Sequence, residues 1–431
     1  MMRRLLLVML GIALLMSSFV FASGKQESSQ AEEAPTIVFQ TFLTPGKDSP
    51  REKAWGQIIE RFTAKTGIKV ETNIMPWSEI DPQLILSVQS GNPPDVSFVR
   101  DKSFLRAMRA NVLMSLDDFI ERDYDESRKN DYLLWDQDGV YKGKKYAFHM
   151  HYIPVALYMR KDLMEKAGLE APRSWDEFVK VGKALSSQGN IAYLFAVSPA
   201  QPTALDYLQP MIEGRGGKVL TEAGKAGFQQ EAGVETYKFL KSLIYDHGIS
   251  PKSTATIKYD EVTDAFSAGR VAMVIEGAHR YKRIVNALGE ENIMLARIPG
   301  VDVSLPSPTS VAGWNLGIPR GSKHPEAAWE FIKFATGTEA QIIYTKVGGQ
   351  IPVLKSVLND QYFRSEEGAI AGWFVEYMNT AGSLAIGPPT YSQLNELMSV
   401  SLQEALSDAN SDVEKILAQS AEKYNSIVDS Q

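Results

Sequence analysis

The sequence predicts an α/β fold with largely parallel sheets. Between Phe62 and Val99 the chain alternates helix, strand, helix and strand at the spacing of parallel-sheet units. Elsewhere helices open on capping signals and close on glycine, and short apolar or β-branched strands fall between them.

Taken in order, residues 37–42 read as a short apolar strand, broken by the TPGKD stretch at 44–48. Ser49-Pro50-Arg51-Glu52 then supplies a capping box with proline at the first helical position. Ala54, Trp55, Ile58, Ile59 and Phe62 recur at helical spacing, so one face of this helix is expected on the sheet. Gly67 stands where a left-handed residue ends it. Val70, Thr72 and Ile74 alternate as the next strand, a second helix closes at Ser90-Gly91, and Pro93-Pro94-Asp95 turns into a strand through Val99. Ser174-Trp175-Asp176-Glu177 repeats the capping box ahead of Phe178, Val179, Ala184 and Leu185. Pro325 opens another helix, whose Ala328, Phe331, Ile332 and Ala335 form a buried stripe before Gly337. Further strands are expected at 145–150, 155–159, 271–275 and 293–298.

The start of the chain carries an address. Arg3 and Arg4 precede an apolar run from Leu5 to Val20, and Ala22, Ser23 and Gly24 follow. A basic start, a short apolar core and a small-residue exit describe a secretory signal peptide, expected over 1–22. The run falls short of the roughly 20 residues that span hydrocarbon. Residues 23–35 are polar and end in proline, as expected of a disordered lead into the fold.

The remaining length suits two domains. With no cysteine among its 431 residues, the chain has no thiol for a lipid anchor, a disulfide or a thiolate metal site. The formal charge of −7 becomes −9 when the two arginines leave with the leader. That acidity argues against nucleic acid or an anionic membrane as partner. The expected location is the periplasm or the extracellular space, without a lipid anchor.

No P-loop, nucleophile elbow or GxGxxG follows a strand; Gly214, Gly216 and Gly217 form only a glycine-rich turn. Neither enzymatic activity nor a cofactor is expected. His149 and His151 lie two apart on a strand and could begin a metal site. The inventory of five histidines, with no cysteine and no HExxH spacing, argues against one.

Several ordered segments carry a resemblance. They are the opening stretch at 62–99, YKGKKYA at 141–147, LYMRKDLMEKAGLEAPRSWDEF at 157–178, FSAGRVAMVIEG at 266–277, VAGWNLGIPRGSKHPEAAWEFIKFATGTEAQ at 311–341 and GGQIPV at 348–353. In this order they closely resemble the family 1 extracellular solute-binding proteins, the sugar-capturing subunits of bacterial ABC importers. The resemblance implies a two-lobed periplasmic-binding-protein fold of type II-like character, each lobe a mainly parallel sheet flanked by helices, joined by hinge strands. One lobe is expected over 36–148 and 297–347, the other over 149–296 and 348–431. It also implies a monomer that closes on a sugar between its lobes and delivers it to the transmembrane subunits of a permease.

Sugars offer hydroxyls to carboxylates, amides and guanidinium groups, and a weakly apolar face to aromatic rings. Trp314 is the first candidate, because VAGWN resembles the family's glycine-tryptophan strand start beside the cleft. Trp77 follows a strand end, and Trp373 and Tyr391 fall in a C-terminal segment where sugar binders often present a stacking ring. Thr44 lies in the loop after the first strand; Arg100 and Asp101 follow the PDVSFV strand, where the family places ligand contacts. Glu276 and His279 follow the alanine-methionine strand, and His151 and Tyr152 occupy the crossing region after YAF. Trp55 and Trp329 lie on apolar helix stripes and are expected in the core, and Trp175 at a helix start is expected to be structural. Two alternatives stay open at this level. The cargo could be a polyamine, a phosphate ester or iron, or the chain could be a secreted carbohydrate-active enzyme working through two carboxylates. The mixed, aromatic and roughly charge-balanced candidate set favours a neutral polyol.

Overall fold

A computed structural model of the protein describes residues 34–305, 307–384, 388 and 390–430. The expected signal peptide at 1–22 and all but the last two residues of the expected lead lie outside the described residues.

The local signals at the start of the fold work as read. β1 (Thr36–Thr41) is followed by the helix Pro50–Thr66, whose capping box is complete: the Glu52 N–H donates to Ser49 Oγ (3.3 Å) and the Ser49 N–H to Glu52 Oε2 (3.4 Å). That helix buries Ala54, Trp55, Ile58 and Phe62, and it ends at Gly67 with φ of 75°. A side chain there would meet the steric barrier of the left-handed region. β2 (Lys69–Ile74) returns parallel to β1, and the helix Ile80–Gln89 leads to β3 (Val96–Arg100), parallel on the other side of β1.

Three expectations need correction. Only half of the second capping box forms, because Ser174 accepts from the Glu177 N–H while the Glu177 carboxylate takes the Arg173 N–H. A parallel bridge to Gly300 fixes the chain direction at Ser174 and turns its own N–H away. The strands expected at 145–150 and 155–159 are one strand, β6 (Ala147–Arg160), which follows a small hairpin of β4 (Val140–Tyr141) and β5 (Lys144–Lys145). Pro154 does not break β6, because it sits where the strand changes partners. The Thr309 hydroxyl satisfies the adjacent backbone by accepting from the Val155 N–H (2.9 Å) and donating to the Val155 carbonyl (2.7 Å). The strand expected at 293–298 is shorter, β9 (Ile293–Ala296).

The main sheet has nine strands in the order β2-β1-β3-β10-β6-β8-β7, with β9 paired to β6 and β11 to β10. Here β7 is Ile191–Leu194, β8 Val271–Gly277, β10 Thr309–Gly317 and β11 Gly382–Leu384. Every antiparallel pair of this sheet involves β6 or β10; the pairs away from them are parallel. Both long strands change neighbours part-way. β6 pairs with β10 through Pro154 and with β8 and β9 from Val155 onward, while β10 pairs with β11 at its start and with β3 at its end. The result is a two-lobed α/β fold in which two strands pass from one sheet portion to the other.

Each portion has its own core. Around β1, the Phe39 ring lies 5.1 Å from Trp55, 5.2 Å from Phe98 and 5.3 Å from Phe331, in the tilted contacts aromatic rings favour. Trp55 and Trp329 are fully buried. Around β7 and β8 a larger cluster takes in Phe178, Tyr193, Leu240, Met273 and Leu402. Among the described residues no helix is long and apolar enough to cross a membrane.

Candidate ligand-binding site

The carboxyl ends of β1, β2, β3, β7 and β8 converge on one cavity of about 240 Å³. Loops at the carboxyl ends of parallel strands are where α/β sheets bind ligands, because the chain there is free of the ladder and can vary. Phe42 and Leu43 follow β1, Trp77 follows β2, Arg100 ends β3 and Ala196 follows β7. The floor comes from strand alternation. Ser310, Ala312 and Trp314 of β10, Ile153 and Val155 of β6, and Ile275 and Gly277 of β8 lie two residues apart and so share a face.

One wall is aromatic. Trp314, 6 % exposed, has its ring 4.4 Å from Phe42 and 5.7 Å from Phe98, so it is at once a core residue and a cavity wall. The Arg100 guanidinium sits between two rings, 5.5 Å from Trp77 and 5.9 Å from Trp314, and its Nε donates to Asp81 at 2.7 Å. Across the cavity, Tyr259 and Asp260 stand at the start of the helix Tyr259–Ser267.

Most cavity charges are paired within the chain. Lys102 meets Asp206, and Arg280 donates to Asp260 while lying over the Tyr259 ring at 5.1 Å. Glu276 accepts from the Thr263 hydroxyl (2.6 Å), from its neighbour's Gly277 N–H (3.0 Å) and from Tyr259. Burial pushes its carboxyl above the usual range, against the pull of Arg280. His279 is held neutral by burial and by the nearby Arg280 and Arg51.

Of the residues singled out in the sequence, Trp77, Arg100, Glu276, His279 and Trp314 line this cavity. The structure does not bring the other six to it. Thr44 lies beyond Leu43 with its N–H bound to Glu52. Asp101 and Tyr152 belong to a buried network around His149, whose Nε2 lies 2.7 Å from Asp101 and whose Nδ1 faces Asp138 at 2.9 Å. Asn315 donates to Asp101, and the Tyr152 hydroxyl donates to Asp138. Burial opposes a charge on His149, but the two carboxylates outweigh it and raise its pKa to about 10. His151 is fully buried, sets its ring 5.4 Å from Tyr344, and is driven neutral by burial and by Arg51. Trp373 packs on Phe374 and Tyr377, and Tyr391 is buried with Lys102 over its ring at 5.7 Å. Residues that sequence reasoning passed over include Phe42, Arg51, Asp206, Tyr259 and Arg280. Arg280 follows His279 directly and was within reach of the same strand-end reasoning; Arg51 was read only as part of a capping signal.

Comparison with known proteins places this architecture. The model of the bacterial extracellular solute-binding protein family matches residues 47–342. The chain belongs to that family. The solute-binding protein described here is 25% identical to the diacetylchitobiose binding protein DasA of Streptomyces coelicolor, over 81% of this chain and 82% of that one. It is 22% identical to the arabinooligosaccharide-binding protein of Bacillus subtilis, over 76% of this chain and 75% of its relative. Among solved structures, maltose-bound MalE3 of T. maritima superposes with a TM-score of 0.80 at 22% identity, covering 91% of this chain and all of the other. In this solute-binding protein, therefore, the strands that change partners and the cavity beside them belong to a fold whose relatives are binding proteins.

Proposed function

We propose that this solute-binding protein captures a saccharide in the cavity beside β6 and β10 and delivers it to the transmembrane subunits of an ABC importer. The observation that carries this reading is the cavity wall itself: Trp314 and Phe42 present aromatic surface while Arg100, Glu276, His279 and Arg280 supply polar groups around it. A sugar needs both, a ring for its C–H face and convergent polar groups for its hydroxyls. The ligands of the relatives, diacetylchitobiose, arabinooligosaccharides and maltose, support the same class.

The lobe partition belongs to this proposal: 36–148 with 297–347 against 149–296 with 348–431. The change of partners along β6 and β10 supports it. Closure around the ligand then follows from contacts that only one conformation completes. A full switch from 1:99 to 99:1 takes about 5.5 kcal/mol of differential binding, which a stacked ring and several hydrogen bonds can supply. The apolar leader at 1–22 supports export, and the lack of cysteine leaves no thiol to lipidate. On this reading the protein acts as a monomer without catalysing a reaction.

A thermal-shift screen tests it, because a ligand that binds only the native state raises the unfolding temperature. Mono-, di- and oligosaccharides are compared with spermidine, glycerol phosphate and ferric ion. A saccharide is expected to give the largest shift; a shift with spermidine or iron alone would move the cargo to another class. Release of reducing sugar from labelled oligosaccharides would instead make the protein an enzyme.

A further inference from the structure

We propose that the saccharide is an acidic one, whose carboxylate or phosphate group sits against Arg51 at the end of the cavity shared with His279 and Arg280. This rests on the saccharide reading above and adds the charge of the cargo to it.

Arg51, Arg100, Lys102 and Arg280 are the cationic side chains of the cavity lining. Arg100 has Asp81, Lys102 has Asp206 and Arg280 has Asp260. Arg51 has no such partner: among the described residues no ion pair or hydrogen bond engages its guanidinium, which lies over the face of Phe42 at 5.6 Å. The acids of the lining are already committed, Asp206 and Asp260 to their cations and Glu276 to Tyr259 and Thr263. A guanidinium offers five N–H donors in a planar fork, and withdrawing it from water without acceptors is costly. Arg51 is half-buried, and burial with the like charge of Arg280 brings its pKa down to about 10 although Tyr344, Tyr259 and Glu52 nearby favour the charge.

Other lining polar atoms are also left without a partner. His279 Nδ1, Arg280 Nε and Ser310 Oγ are buried and have no hydrogen-bond partner among the described residues. Arg280 and His279 lie within electrostatic reach of Arg51, so two of these unpartnered groups stand near the unpaired charge. Buried polar groups in native proteins are paired as a rule, and a cluster of exceptions marks a place awaiting a partner. A neutral sugar could satisfy donors through hydroxyl oxygens but would leave the charge standing. A carboxylate or phosphate accepts from the fork with two oxygens and cancels the charge in the same contact.

Isothermal titration of the full chain tests this. The probes are galacturonate, glucuronate and their disaccharides, the matching neutral hexoses and disaccharides, and hexose 6-phosphates, against wild type, Arg51→Gln and Arg51→Lys. An acidic probe is expected to bind at least about 10-fold more tightly than its neutral counterpart, and Arg51→Gln to weaken the acidic probe by about 10- to 100-fold, the range of a charge-assisted contact. Neutral probes should change by less than about 3-fold in that variant, and Arg51→Lys should retain part of the preference, since charge survives but the fork does not. Tighter binding of uronates or of sugar phosphates identifies which anion the site takes. Equal affinity for acidic and neutral sugars, or an equal loss of both in Arg51→Gln, overturns the inference while leaving the saccharide reading intact. Binding of no sugar from either class overturns both. Circular dichroism of each variant confirms that it is folded.

Discussion

Two polar clusters, one buried around His149 and one around the half-buried Arg51, lie against the same long strands and differ in how their charges are settled. Around His149, a cation meets carboxylates on two sides, and Asn315 and Tyr152 bind those carboxylates in turn. Around Arg51, a cation meets an aromatic face, another cation and neutral histidines, and Glu52, Tyr344 and Tyr259 favour its charge from nearby without an ion pair or hydrogen bond to it among the described residues. In the first cluster the charges are paired within the chain, although Asn315 Oδ1 is buried without a hydrogen-bond partner among the described residues, and the pairing belongs to the architecture that holds β3, β6 and β10 together. The second is incomplete within the chain and opens onto the cavity. The contrast teaches that burial and charge alone do not mark a binding residue; what marks it is charge that the protein itself leaves unanswered.

The comparison breaks most visibly at His149. Replacing it with leucine strands the buried carboxylates of Asp101 and Asp138, so urea unfolding of the unliganded protein should show a loss of about 3–5 kcal/mol. A loss below about 1 kcal/mol would mean the cluster is not structural. Trp314→Ala comes next. The ring packs on Phe42 and Phe98 and also lines the cavity, so about 3 kcal/mol of stability should go together with saccharide affinity. Retained affinity in a folded Trp314→Ala protein would remove the ring from the site.

Acid and base separate the clusters without mutation. The folded pKa of His149 lies near 10, above its ordinary 6.5, so its contribution is full below about 6.5 and is lost as pH rises toward 10. His151 and His279 are depressed, so their contribution is present above about 6.5 and is lost as pH falls below it. Urea midpoints measured from pH 5 to 10 should therefore fall at both ends, and His149→Leu should flatten the alkaline limb only. The smallest effect is expected at Arg51, where Arg51→Gln gives up the contact with the Phe42 face but also removes an unpaired charge, so unfolding of the unliganded protein should shift by less than about 1 kcal/mol.

Much of the fold was legible because its signals are local. Ser49 with Glu52, Pro50 and Gly67 define a helix through contacts within a turn, and the alternation from Lys69 to Ile74 defines a strand. That 145–150 and 155–159 form one strand carried no local signal, because continuity at Pro154 depends on the Thr309 hydroxyl, 155 residues away in sequence, which supplies partners to the neighbouring backbone. The site was legible only as strand ends. Reasoning from that position reached Trp77, Arg100, Glu276, His279 and Trp314, but it gave no means of telling Arg100, which faces the cavity, from Asp101, which turns to His149. Arg51 carried no signal at all, since its capping turn fits any surface helix and only tertiary packing leaves its guanidinium without a carboxylate.

The saccharide is expected in the cavity beside β6 and β10. A crystal structure of the protein with the best-binding saccharide tests it most directly. The expected result is a sugar ring against Trp314 and Phe42, with its polar groups within hydrogen-bond distance of Arg51, His279 or Arg280. A sugar bound elsewhere on the molecule, with this cavity free of it, would contradict the account.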